Sequence, residues 1–171
     1  MKKYKLILYD NYYVYKDLDA YGSFIGEFYD NVNKKRILSI IYMRDLYKRS
    51  GKHIGIFTNS SGVNIYISPM FMEEYKDKLD LFEALMFHEL GHYINKDVYK
   101  EDFNKRNNYL LNGKVDLMEI KADAFAVSNL NKEIMIKALN NMIMERIKKD
   151  DVFSNIFIKE LKERLKIINK L

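Results

Sequence analysis

Cysteine is absent from the 171 residues. This excludes a disulfide scaffold and any metal site built on thiolates, and it is compatible with a cytoplasmic location. Proline occurs once, at Pro69, and glycine seven times. The chain therefore carries little of the punctuation that marks linkers, and neither a linker nor an internal repeat is read. Histidine is scarce, with only His53, His88 and His92. No apolar run approaches the ~20 residues needed to cross a bilayer. The longest, 37–43, is interrupted by Ser39 and belongs to an amphipathic segment. Met1-Lys2-Lys3 resembles the basic start of a signal peptide, but Tyr9, Asp10 and Asn11 cut the following apolar stretch short. No signal peptide and no membrane insertion are expected.

Hydrophobic residues make up 48% of the chain and aromatic residues 14%, enough to build a core rather than remain disordered. The length suits one domain, 1–171. The net charge of +5 is modest. Its most basic stretch, Arg146 to Lys170, also holds Asp150, Asp151, Glu160 and Glu163. That interleaving reads as a solvated helix face, so no nucleic-acid partner is expected.

Two of the three histidines lie four positions apart in His88-Glu89-Leu90-Gly91-His92. The pattern matches H-E-x-x-H, associated with zinc-dependent peptide hydrolysis. On a helix, positions i and i+4 share one face, so two imidazoles converge on one cation. Glu89, one step round, reaches a metal-held water without being a ligand. The helix is supported by Leu79, Phe82, Leu85, Met86, Leu90 and Tyr93 at helical spacing. Asp80 and Glu83 read as a capping box at its start and Asn95 as its stop. Gly91 is unfavourable inside a helix, unless it allows another segment to approach closely. The bland alternative is an amphipathic helix with two incidental histidines.

Catalytic zinc usually takes three protein ligands and keeps a position for water. No histidine follows His92, so a third ligand must be of another type. Glu119 and Asp123 offer carboxylates at i and i+4 of a second helix, where Ala122 and Ala126 form a small-residue row. Glu119 also sits at the third position of a capping pattern that begins at Asp116. Either Glu119 or Asp123 could be the ligand on spacing alone.

H-E-L-G-H followed by E-x-x-A-D-x-F-A resembles the gluzincin class of zinc metallopeptidases. The likeness spans roughly residues 54 to 140. It is shared between the ImmA/IrrE family and soluble minigluzincin relatives of the CAAX prenyl protease and HtpX. The resemblance implies zinc (Zn2+) held by His88, His92 and Glu119, Glu89 as general base, and Asp123 behind a histidine. It also implies that the strand containing Asn64, Ile65 and Tyr66 is a sheet edge that binds an extended substrate through its backbone. A residue supporting the oxyanion remains to be assigned, with Tyr99, Tyr109, Arg146 and Arg164 as candidates. A metzincin site is excluded, because Asn95 and Val98 occupy the positions of its further glycine and histidine.

Residues 4–9 and 12–16 read as a hairpin around Asp10-Asn11, 17–31 as irregular and 33–50 as a helix stopped by Gly51. Strands are expected over 54–58 and 63–68. Residues 97–113 read as loop. Helices are expected near 117–128, 132–149 and 152–169. The order predicts an α+β, zincin-like domain: a small N-terminal sheet with the motif helix, then a mostly helical C-terminal half. The expected function is a zinc endopeptidase acting on a protein or peptide. The alternatives are a catalytically quiet zinc module that holds a partner in the same cleft, and a helical interaction protein with a chance motif. His53 reads as a strand-entry residue outside the site.

Overall fold

The computed structural model describes residues 2–9, 22–60, 62–100, 103, 115–148 and 152–171. Contacts group the chain into 1–83 and 84–171.

The first unit is built on a five-stranded mixed sheet. Its strands are β1 (Tyr4–Leu8), β2 (Ser23–Asp30), β3 (Lys35–Tyr42), β4 (Ile54–Asn59) and β5 (Gly62–Ile67), in the spatial order β1-β2-β3-β5-β4. All neighbours are antiparallel except β3 and β5, which run parallel through Ile40↔Ile65, Ile41↔Tyr66 and Tyr42↔Ile67. Ile25, Phe28, Ile40, Ile65 and Ile67 are fully buried, and Ile41, Leu46 and Tyr66 pack together with Met43 and Phe57. Helix α1 (Leu46–Ser50) ends at Gly51, as expected. Helix α2 (Pro69–Tyr75) starts where Ser68 accepts a hydrogen bond from the Phe71 amide and Pro69 supplies a pre-set first residue.

Three expectations need correction here. The partner of β1 is β2, within the stretch read as irregular; residues 12–16 lie outside the described residues. The stretch 33–50 is not one helix but β3 followed by the short α1. Leu38, Ser39, Ile40, Ile41 and Tyr42 are consecutively buried, so both faces of β3 are covered and the two-residue alternation of a strand is lost. Finally, β5 is an interior strand, hydrogen-bonded to β3 on one side and β4 on the other. Asn64, Ile65 and Tyr66 therefore do not lie on a sheet edge. The described edges are β1 and β4.

Helix α3 (Leu79–Ile94) contains the histidine pair. It begins one residue before Asp80, which sits in the first turn rather than capping it. The Asp80 Oδ1 accepts from the Leu81 amide at 2.9 Å. The helix stops before Asn95, as expected, and Lys96 then adopts a left-handed conformation with φ 60°.

The described elements of the second unit, which begins within α3, are all helical. A 3₁₀ turn at Asp97–Tyr99 follows, then α4 (Leu117–Asn129), α5 (Lys132–Ile147) and α6 (Val152–Ile168). These three helices lie within two residues of their expected limits. Asp116 caps α4 through the Met118 amide and Asn131 caps α5 through the Glu133 amide. Helices α5 and α6 pack along each other, and α4 touches both. No helix among the described residues is long and apolar enough to cross a membrane.

The architecture is α+β, with the sheet in the N-terminal half and helices dominating the C-terminal half.

Candidate metal centre

The close approach of α3 and α4 begins at Gly91. A Cβ there would lie 2.9 Å from the Ala122 Cα and 3.1 Å from its carbonyl oxygen. The backbones meet because glycine faces alanine, which is the use expected of both. The helices run in opposite directions, so His88 meets Asp123 and His92 meets Glu119.

Both Nε2 atoms and the Glu119 carboxylate converge. His88 Nε2 and His92 Nε2 are 3.2 Å apart. Glu119 Oε2 lies 3.2 Å from the first, and Glu119 Oε1 lies 3.3 Å from the second. A tetrahedral ion with ligand bonds of 2.0–2.1 Å requires donors about 3.3 Å apart. The three residues are all buried. Glu119 is both the third residue of its helix and a member of this cluster, so its two readings are compatible.

Each imidazole is held from behind. His88 Nδ1 lies 2.7 Å from Asp123 Oδ1, and His92 Nδ1 lies 3.2 Å from Asp97 Oδ2. A carboxylate at Nδ1 favours the tautomer with the proton there. Both Nε2 lone pairs then point toward the Glu119 carboxylate. Three acceptors brought this close repel one another unless a cation or a proton lies between them. The donor set, two imidazoles and one carboxylate with no thiolate, suits zinc and other borderline divalent ions alike.

Arg164, on α6, completes the network. Its Nε donates to Asp123 Oδ2 at 2.7 Å and its Nη2 to Asp123 Oδ1 at 2.6 Å. Its Nη1 lies 3.0 Å from Glu119 Oε2. Burial opposes ionisation of Asp123, but the Arg164 charge and the His88 bond outweigh it and hold the carboxyl well below the usual range. The Arg164 guanidinium is in turn held charged: burial disfavours it, and Asp123 more than compensates. Asp97 behaves similarly. Its burial is outweighed by hydrogen bonds from His92 and Lys100, whose Nζ lies 2.5 Å from Asp97 Oδ1.

Glu89 is partly exposed and lies one step round α3 from His88. The candidates for oxyanion support fare differently. Arg164 is in the cluster but turned to its carboxylates. Arg146 lies over the Phe157 ring, 4.6 Å from its centroid, and joins α5 to α6. Tyr99, the last residue of the 3₁₀ turn, is 62% exposed. Tyr109 lies outside the described residues. His53 belongs to the first unit, where it stacks on Tyr47 and meets the Ser68 hydroxyl.

Asp97 and Phe103 complete the surroundings of His92, and no sequence motif marks them. Asp97 is fully buried, and the Phe103 ring packs edge-on to His92 with centroids 5.4 Å apart. A signal for Asp97 existed. Asp123 alone supports one histidine, and a metal-binding imidazole almost always has its own partner, so a second carboxylate was due near His92. No family model, curated protein or solved structure matches this chain.

Proposed function

We propose that this chain is a zinc-dependent endopeptidase of the gluzincin type, with a protein or peptide as substrate. One observation carries the reading: His88, His92 and Glu119 bring one donor atom each to within 4.8 Å of one another, and each histidine has its own buried carboxylate behind it. Burying charges is costly even when they are paired, and such groups cluster at functional sites. Zinc bound there supplies Lewis acidity to a carbonyl and to water.

The protein's own groups do the rest. Asp123 and Asp97 hold the imidazole rings in orientation. The Glu89 carboxylate takes the proton from the attacking water and returns it to the leaving amine. Its place on the helix that holds both histidines, and its partial exposure, suit a group that must meet water and substrate together.

The test is Glu89→Gln, assayed by metal content and by digestion of a peptide library. Zinc stoichiometry is expected to match the parent protein, and turnover to fall by about 10²–10⁴-fold. Undiminished cleavage by the variant sinks the assignment. Zinc binding with no cleavage by the parent protein favours a module that holds a partner without cutting it.

A further inference from the structure

The guanidinium of Arg164 touches both carboxylates contributed by α4, and nothing in the reaction proposed above needs it there. It grips Asp123 in a two-pronged arrangement and reaches the Glu119 oxygen nearest to His88. It is 5% exposed. Burying a guanidinium is costly, and a planar fork is the group suited to two carboxylates at fixed angles. Asp123 in turn fixes His88. One side chain from the C-terminal helix therefore constrains a carboxylate ligand directly, and an imidazole ligand mainly through Asp123, with Arg164 Nη2 itself 3.4 Å from His88 Nδ1.

We infer that Arg164 is a positioning residue for the metal: by bridging Glu119 and Asp123 it pre-arranges the three ligands, so that metal binding and docking of α6 are thermodynamically coupled. The inference rests on the metal site proposed above. It adds a sign that charge alone does not give. Removing a positive group 3.0 Å from a ligand oxygen should, by Coulomb's law, strengthen binding of a cation. Loss of positioning should weaken it.

The experiment measures zinc affinity by chelator competition in the full chain and in Arg164→Gln and Arg164→Lys. Both variants are expected to bind zinc about 10–100-fold more weakly, the range seen when groups behind metal ligands are lost. Lysine is expected to restore little, since it keeps the charge but cannot span both carboxylates. The 15N shifts of the His88 ring are expected to change from one Nδ1-protonated form to a mixture, which a general loss of stability would not produce. Arg146→Gln, which removes a different contact to α6, should leave zinc affinity unchanged. Affinity equal to or tighter than the parent's in Arg164→Gln, or full rescue by lysine, overturns the inference.

If either Arg164 variant does not fold, the parent protein carries the test. Zinc should slow amide exchange along Val152–Ile168 as well as in α3 and α4, and unchanged exchange in that helix sinks the coupling. Peptide cleavage enters none of these measurements. Failure of catalysis is thus distinguished from failure of this inference, while absence of zinc binding defeats both.

Discussion

The two units handle buried charge in opposite ways. Among the described residues, the first unit buries one carboxylate, imidazole or basic side chain, Asp30, which accepts bonds from the Val32 and Asn33 amides at a turn. The second buries seven: His88, His92, Asp97, Asp116, Glu119, Asp123 and Arg164. All but Asp116 belong to the connected network around the donor cluster. The sheet unit is stabilised by burial of apolar side chains, Ile25, Phe28, Ile40, Ile65 and Ile67 among them. The helical unit spends part of its interior on groups that favour water. Such an arrangement is poor evidence of a stability device and fair evidence of a site. Where a fold keeps charge inside and gives every member a partner, the arrangement is explained by what the charges hold.

The sharpest way to break this contrast is to remove one large contributor from each unit. Asp123→Ala leaves Arg164 buried without its main counter-charge, at a cost of about 3–5 kcal/mol. Phe28→Ala opens a cavity in the sheet core and also costs about 3–5 kcal/mol. Denaturant midpoints should therefore fall similarly. Zinc affinity should not: it is expected to drop about 10–100-fold in Asp123→Ala and to stay at the parent value in Phe28→Ala. Equal affinities in the two variants would mean that the buried network is structural only.

A smaller effect is expected at the helix crossing that brings the ligands together. Gly91→Ala gains about 1 kcal/mol of helix propensity. Against this, the new Cβ meets backbone atoms of Ala122 at 2.9 and 3.1 Å and the Phe125 Cβ at 3.2 Å, atoms that cannot swing aside. Overpacking of this kind costs about 1–3 kcal/mol. A net loss of stability is predicted, together with weaker zinc binding as α4 is pushed from α3. A thermal scan showing net stabilisation would contradict it.

How much was legible in the sequence follows the same division. In the helical unit, periodicity, caps and two short motifs all speak locally. Asp116 and Asn131 mark helix starts, and His88, His92, Glu119 and Asp123 fall at four-residue spacings that place them on shared faces. In the sheet unit the information is not local. β3 is buried on both faces and imitates a helix. β2 carries Gly26, which reads as a break but sits against β1, where a Cβ would lie 2.6 Å from the Ile7 carbonyl oxygen. The interior position of β5 depends on a parallel pairing with β3 that no short window of sequence contains. Arg164 shows the limit from the other side. Its contacts to Glu119 and Asp123 are set by the return of α6, so the sequence offers it as a candidate without showing that it clamps two carboxylates.

The gentlest probe of the contrast is acid. Asp123 and Asp97 both have carboxyl pKa values depressed in the folded state. In each, burial works against the depression; Arg164 and His88 overcome it at Asp123, His92 and Lys100 at Asp97. A carboxylate whose folded pKa is below its unfolded value of about 3.9 contributes stability that is fully present above that value. The contribution is lost as pH falls through the depressed folded pKa. In chelator, urea midpoints should therefore decline progressively below about pH 4. Asp30 adds a limb of the same sign from the first unit, through amide bonds from Asn33 and Val32. The two are separable: Asp123→Asn should flatten the acid decline read by exchange in α4 and α6, while leaving the decline read in β2 and β3 as it was. A variant whose helices lose stability with acid as steeply as the parent's would show that the Asp123–Arg164 pair is not what the folded state protects from protons.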